Sequence, residues 1–146
     1  MEQQFVQLVS DGSCLGNPGR GGWACLLKSQ GQEKMLSGGE QDTTNNRMEL
    51  MAVIRGLQSL KRPCQVEIIT DSQYIMKAFT EKWLENWQRN NWRTAQKKPV
   101  KNQDLWVLLL EATKLHKISW RWVKGHSGDV DNERVDAEAR NAATQI

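Results

Sequence analysis

The stretch that decides the fold is Asn45-Asn46-Arg47-Met48-Glu49-Leu50, with Asp11-Gly12-Ser13 upstream of it and Thr70-Asp71-Ser72-Gln73 downstream. Together these segments place three lone carboxylates where secondary-structure elements are expected to begin or end. Asp11 closes an apolar N-terminal strand, Phe5-Val6-Gln7-Leu8-Val9, and Asp71 closes a second, Val66-Glu67-Ile68-Ile69-Thr70. Glu49 is expected in the first turn of the helix that precedes that second strand. A fourth acid, Asp136, opens a C-terminal helix ten residues after His126 of Gly125-His126-Ser127-Gly128. Carboxylates that converge at strand ends repel one another, and they stay ionised at low cost only beside a hard cation. Four of them in so short a chain form a candidate two-metal site.

Outward from these acids the chain alternates legibly. A glycine-rich bend, Gly12 to Gly22, holds five Gly and Pro18. The strands Gly22–Lys28 and Lys34–Gly38 follow, separated by a polar turn at Gly31, and read as successive hairpins. Thr43-Thr44-Asn45-Asn46 supplies a helix N-cap, and Leu50, Val53, Ile54, Leu57 and Leu60 keep helical spacing up to Lys61-Arg62-Pro63. A short helix after Asp71 aligns Ile75, Ala78, Phe79 and Trp83. Asn102 is placed to cap another, with Leu105, Leu108, Leu109, Ala112 and Leu115 as its apolar stripe. A last strand, Ile118–Val123, leads to the His126 loop and to a helix starting near Asn132. The order β-β-β-α-β-α-α-β-α predicts an α/β fold. Three antiparallel strands are extended by two parallel crossover strands into one mixed five-stranded sheet flanked by helices.

The 146 residues suit one domain spanning 1–146. A hydrophobic share of 38% and seven Trp belong to a folded chain. The three Cys (Cys14, Cys25, Cys64) are an odd number without a C-x-x-C pair, which argues against both a disulfide framework and a zinc site. No basic n-region with an apolar core opens the chain, and no run reaches membrane-spanning length, so a soluble, cytoplasmic, monomeric protein is expected. The net charge of +3 is unevenly distributed. Residues 82 to 101 hold Lys82, Arg89, Arg93, Lys97, Lys98 and Lys101 against Glu85 alone, a local +5 that leaves −2 for the remainder. Trp83, Trp87 and Trp92 lie in the same stretch. Basic residues interleaved with aromatics suit a phosphate-backbone contact surface. A solvated helix face with Trp packed beneath it has the same composition.

Each acid also has a purely structural role open to it. Glu49, three residues after Asn46, can complete a capping box. Asp71 can cap the next helix, Asp136 can complement a helix dipole, and Asp11 can serve a turn before Gly12. Collectively these roles explain less than a shared site. Asp11 and Asp71 end strands that the element order makes neighbours, at the carboxyl edge where open α/β sheets place ligands. His126, one of two His, has the side chain suited to moving protons near neutral pH.

Several motifs in order carry a resemblance. Asp-Gly-Ser-Cys at 11–14, Gly-Asn-Pro-Gly at 16–19, Thr-Thr-Asn-Asn-Arg-Met-Glu-Leu at 43–50 and Thr-Asp-Ser-Gln-Tyr at 70–74 are the first four. Lys-Lys-Pro-Val-Lys-Asn at 97–102, Trp-Val-Lys-Gly-His at 122–126, Asn-Glu-Arg at 132–134 and Asp136 complete the series. From about Val6 to Ala143 the chain resembles bacterial ribonuclease HI, of the type 1 ribonuclease H family. The resemblance implies an endonuclease that hydrolyses the RNA strand of an RNA–DNA hybrid, leaving 5′-phosphate and 3′-hydroxyl ends. It assigns Asp11, Glu49, Asp71 and Asp136 to metal binding and catalysis, and His126 to the catalytic loop. Two Mg²⁺ about 4 Å apart, with Mn²⁺ as an alternative, would clamp the scissile phosphate, Asp11 bridging them. Cys14, Asn17, Asn45, Asn46 and Gln73 resemble the family's substrate contacts, in whose minor groove a 2′-hydroxyl separates RNA from DNA without base reading.

Residues 82–101 resemble the family's basic protrusion, so Trp83, Trp87, Arg89, Trp92, Arg93, Lys97, Lys98 and Lys101 are candidate contacts to the DNA strand. Thr44 and Asn102 match members of a pocket for a DNA phosphate. Three departures stand out. Gln88, Asn90 and Asn91 dilute the protrusion, Asp42 sits where relatives often place a basic residue, and the chain stops at Ile146 without a longer tail. A DNA-cutting nuclease of the same fold, a non-catalytic hybrid-binding module and a domain cut from a larger polymerase-associated protein are the competing readings. The Asn/Gln set with the protrusion opposes the first, and the complete acid set opposes the second. The Met start and single-domain length oppose the third.

Overall fold

The computed structural model of this protein describes residues 4–124 and 129–145. Among them the chain forms strands β1 (Gln4–Cys14), β2 (Gly19–Ser29) and β3 (Gln32–Thr43), helix α1 (Asn45–Gln58), and strand β4 (Cys64–Thr70). Helices α2 (Gln73–Thr80), α3 (Trp83–Arg89) and α4 (Gln103–Thr113), strand β5 (Lys117–Trp122) and helix α5 (Val130–Thr144) complete it. The sheet order is β3-β2-β1-β4-β5. The hairpin-linked β1, β2 and β3 pair antiparallel, while β4 joins β1 and β5 joins β4 in parallel. The mixed sheet expected from the element order is therefore present.

Strand alternation divides the core in two. Val6, Leu8, Cys25, Val66 and Ile68 pack with α1 and α4, in a cluster that includes Leu50, Ile54, Leu57, Trp106 and Leu109. Val9, Ala24, Leu26 and Ile69 pack with Val135 and Ala139 of α5. Burying nearly the whole of one such side chain is worth roughly 1.5–3 kcal/mol, so a one-residue slip in β1 would exchange its two faces at prohibitive cost. Two glycines permit the closest approaches. A Cβ on Gly12 would lie 2.4 Å from the Glu49 backbone nitrogen, and one on Gly22 would lie 2.2 Å from the Ala139 carbonyl oxygen. Strands β1 and β2 thus touch helix backbones directly, α1 on one face and α5 on the other.

Several local expectations change. Strand β1 continues through Asp11 to Cys14, with Asp11 opposite Ala24 of β2, so the acid lies within the strand instead of closing it. The cap of α1 is Thr44, whose hydroxyl accepts from the Arg47 amide; Glu49 is consequently beyond the first turn and outside any capping box. Ser72, not Asp71, caps α2 through the Ile75 amide. Asp129 caps α5 through the Asn132 amide, which puts Asp136 past its first turn. The caps of α1, α2 and α5 are thus supplied by Thr44, Ser72 and Asp129. Asn102 occupies the N-cap position of α4 at φ 62° with no side-chain capping bond. The stripe of α4 is also rotated from its expected face: Leu105, Trp106 and Leu109 are buried, while Leu108 and Leu115 are exposed.

Candidate active site

The site forms where β1, α1 and β4 meet. The parallel register of β1 and β4 sets Val9 beside Ile69, so Asp11, still within β1, and Asp71, just past the end of β4, each lie two residues further on. Glu49 enters from the second turn of α1. The Gly12 amide donates to its Oε1 at 2.7 Å, so the residue that lets α1 approach also orients the carboxylate. One carboxylate oxygen from each of Asp11, Glu49 and Asp71 lies within 4.8 Å of the others. Asp136 on α5 lines the same cleft and adds to the upward shift of the Asp11 carboxyl. It also pairs with Arg140 one turn along, at 2.9 Å.

The electrostatics are those of acids held together against repulsion. Asp11 and Glu49 are both buried. Desolvation comes first in raising the Asp11 carboxyl far above the usual carboxylate range, with repulsion from Glu49 and Asp71 adding to it. Burial likewise lifts Glu49, with repulsion from Asp71 adding to it and the bond from the Gly12 amide opposing it in part. Glu49 Oε2 is buried without a hydrogen-bond partner. Most buried polar atoms in folded proteins have a partner, so an orphaned carboxylate oxygen beside two further acids leaves room for a ligand. An all-oxygen donor set, excess negative charge and an orphaned acceptor fit a hard divalent cation. These four carboxylates would hold it.

The acids floor an open cleft of about 460 Å³. Its walls include Ser13 and Cys14 of β1, Asn45 and Asn46 at the start of α1, and Ser72, Gln73 and Tyr74 at the start of α2. Asp11, Glu49, Asp71, Asp136, Cys14, Asn45, Asn46 and Gln73, all read from sequence as site residues, are thus brought together. Asn17 stands beside the cleft, its Oδ1 accepting from the Asn45 amide at 3.3 Å. Thr44 is the helix cap described above. His126 lies outside the described residues.

The basic segment forms a separate surface. Trp83 and Trp87 sit on α3, and with Trp92 they form a chain of rings whose neighbouring centroids are 5.9 and 6.4 Å apart. All three are half-buried against the main core. Arg89, Arg93, Lys97, Lys98 and Lys101 are exposed. A turn closed by Thr94 N–H to Lys98 O (2.8 Å) and Val100 N–H to Trp92 O (3.1 Å) carries the lysines. Tyr74, Trp87, Lys98 and Lys101 share a second hollow of about 330 Å³. Tyr74 lines both hollows, and sequence reasoning missed it; its position three residues after Asp71, on the first turn of the helix leaving β4, was the available signal.

Comparison with known proteins agrees with this geometry. The family model for RNase H matches residues 3–144. The ribonuclease H of Thermus thermophilus is 60% identical over 138 residues, covering 94% of this chain and 83% of that protein. The ribonuclease H of Hydrogenovibrio crunogenus is 57% identical over 143 residues, covering 98% of each. Among solved structures, LC9-RNase H1, described as a type 1 RNase H with the type 2 active-site motif, superposes with a TM-score of 0.89 at 31% identity. That match covers 99% of this chain and 74% of the other.

Proposed function

The chain belongs to the ribonuclease H family and is an endoribonuclease, and from that premise we propose that it cuts the RNA strand of RNA–DNA hybrids at the Asp11–Glu49–Asp71–Asp136 cluster with two divalent cations, Mg²⁺ first. The observation that carries the reading is the convergence of three carboxylates within 4.8 Å on the floor of a cleft walled by small polar side chains. When bound, the cations supply Lewis-acid stabilisation of the charge that develops on the phosphate and its leaving oxygen.

The chain's own residues do the rest. Asp11, Glu49, Asp71 and Asp136 would hold the cations, with Asp11 at the centre of the cluster. Gly12 holds Glu49 through its amide, so the ligand is positioned before any ion arrives. Asn45, Asn46 and Gln73 offer donors and acceptors on one wall, matching a 2′-hydroxyl that both gives and takes a hydrogen bond. Cys14 lines the same cleft, and Asn17 is tied to it through the Asn45 amide. His126, outside the described residues, is assigned the proton transfer from sequence. The Trp-bearing segment 82–101, with Thr44 and Asn102, is assigned the DNA strand.

The test is incubation with end-labelled RNA–DNA hybrid, double-stranded RNA and double-stranded DNA, each with Mg²⁺ and with a chelator. The reading expects cleavage only of RNA in the hybrid, only with the cation, leaving fragments with 5′-phosphate ends. Cleavage of duplex DNA, or of hybrid in chelator, would refute it.

A further inference from the structure

The hydrogen bonds that converge on Asn102 decide which end of its carboxamide a ligand meets. A carboxamide carries an acceptor on one side and donors on the other, and only its partners tell the two apart. Arg47 is the unambiguous partner, because a guanidinium donates and never accepts. Its Nη1 lies 3.3 Å from Asn102 Oδ1, which turns the nitrogen toward Tyr74, where Nδ2 donates to Oη at 3.2 Å. Tyr74 Oη is itself fixed, accepting from Nε1 of the fully buried Trp106 at 3.0 Å. Arg47 is held from behind by Asp104, whose two oxygens accept from Nη1 at 3.0 Å and Nη2 at 2.8 Å. Such a two-pronged grip fixes the plane of the guanidinium as well as its distance. Asn102 makes no capping bond to α4, so its side chain is committed to this network.

We infer that Arg47 is a positioning residue for the substrate: by pinning Asn102 Oδ1 it presents the Nδ2 donor, and not the acceptor oxygen, to a phosphate of the bound strand. The inference rests on the assignment of Thr44 and Asn102 to a phosphate made above. Three of the five guanidinium N–H donors of Arg47 are engaged by Asp104 and Asn102, and the salt slope separates positioning from a direct phosphate contact.

The experiment measures KM, kcat and the salt dependence of hybrid affinity for the Mg²⁺-loaded full chain and for Arg47→Met, Arg47→Lys, Asn102→Ala and the Arg47→Met/Asn102→Ala double variant. Arg47→Met is expected to raise KM about tenfold, the scale of one lost hydrogen bond to a charged group, with kcat nearly unchanged. Its salt slope should equal that of the parent, whereas a direct phosphate contact would lower the slope by about 0.9. The double variant should be no worse than Asn102→Ala alone, because the two residues act as one unit. Arg47→Lys, which keeps a charged donor but not the planar fork, should recover part of the loss and shows that the effect does not come from unfolding. Additive losses, or a reduced salt slope in Arg47→Met, would overturn the positioning role while leaving the phosphate assignment in place. An unchanged KM in Asn102→Ala would overturn the assignment and the inference together.

Discussion

The carboxylate cluster and the Trp-bearing segment are built in opposite ways. The cluster draws on β1, α1, β4 and α5, elements far apart in sequence, and Asp11 and Glu49 are buried at its centre. Its geometry exists only because the sheet has its observed order. The segment 82–101 is local: one short helix, a turn closed by its own backbone bonds, and lysines exposed to water. Its tryptophans anchor it to the core, and its charges are free to meet a polyanion. A site made by long-range packing suits the bond-breaking step, which tolerates little displacement. A local, exposed, cationic surface suits binding, where each contact adds a modest and salt-sensitive increment. Substitutions in the first region should therefore appear in kcat, and those in the second in KM.

The largest effect is expected for Asp11→Asn, which removes a carboxylate at the centre of the acidic cluster. Cleavage should fall well below a tenth of the parent rate, and each tenfold loss adds about 1.4 kcal/mol to the barrier. Circular dichroism should show the fold intact. Retention of a tenth or more would break the assignment of Asp11. His126→Ala should cost less, about 10²-fold or below in kcat, because water can replace a proton carrier. A loss as deep as that of Asp11→Asn would give His126 a different job.

In the second region, changing Lys97, Lys98 and Lys101 together to Ala should flatten the slope of log affinity against log salt by up to about 3. KM should rise and kcat at saturation should hold, the pattern of lost uniform binding. A fall in kcat would erase the contrast between the two regions, and an unchanged slope would make these lysines a solvated face. The smallest effect is Asp42→Arg. Replacing an exposed acid by a cation beside Thr44 should tighten hybrid binding by about 1 kcal/mol, measured by fluorescence anisotropy. No tightening would place Asp42 away from the bound strand.

How much of this was legible in the sequence follows the same division. Strand alternation and the element order were enough to bring Asp11 beside Asp71, because parallel pairing of β1 and β4 leaves few registers that keep both core faces apolar. The position of Glu49 was legible and its local role was not: Thr44 takes the cap, and only the packing of Gly12 against α1 shows what holds the carboxylate. Helix α3 was missed because its seven residues carry too little periodicity beneath a strong compositional signal. The face of α4 was misjudged because Leu105-Trp106-Val107-Leu108-Leu109-Leu110 is apolar on every side. Contacts of Trp106 with Tyr74, Phe79 and Trp87 choose its direction, and those partners come from two other helices. The network through Arg47 was invisible for the same reason, since it joins α1, α2 and α4.

The central claim is that repulsion among buried carboxylates is relieved by a bound cation, and the thermal stability of the protein freed of metal tests it without substrate. The folded-state carboxyl of Asp11 is raised well above its ordinary value, so the folded protein binds more protons than the unfolded chain as pH climbs from about 4. Stability therefore falls as pH rises through that window, the reverse of a salt-bridged acid. In a chelator-treated sample, Tm should decline from pH 5 toward pH 8 and recover on titration with Mg²⁺. Asp11→Asn should have the higher Tm at pH 8 in chelator and lose most of the response to the cation. An equal Mg²⁺ response in parent and variant, or a variant less stable than the parent in chelator, would contradict the account.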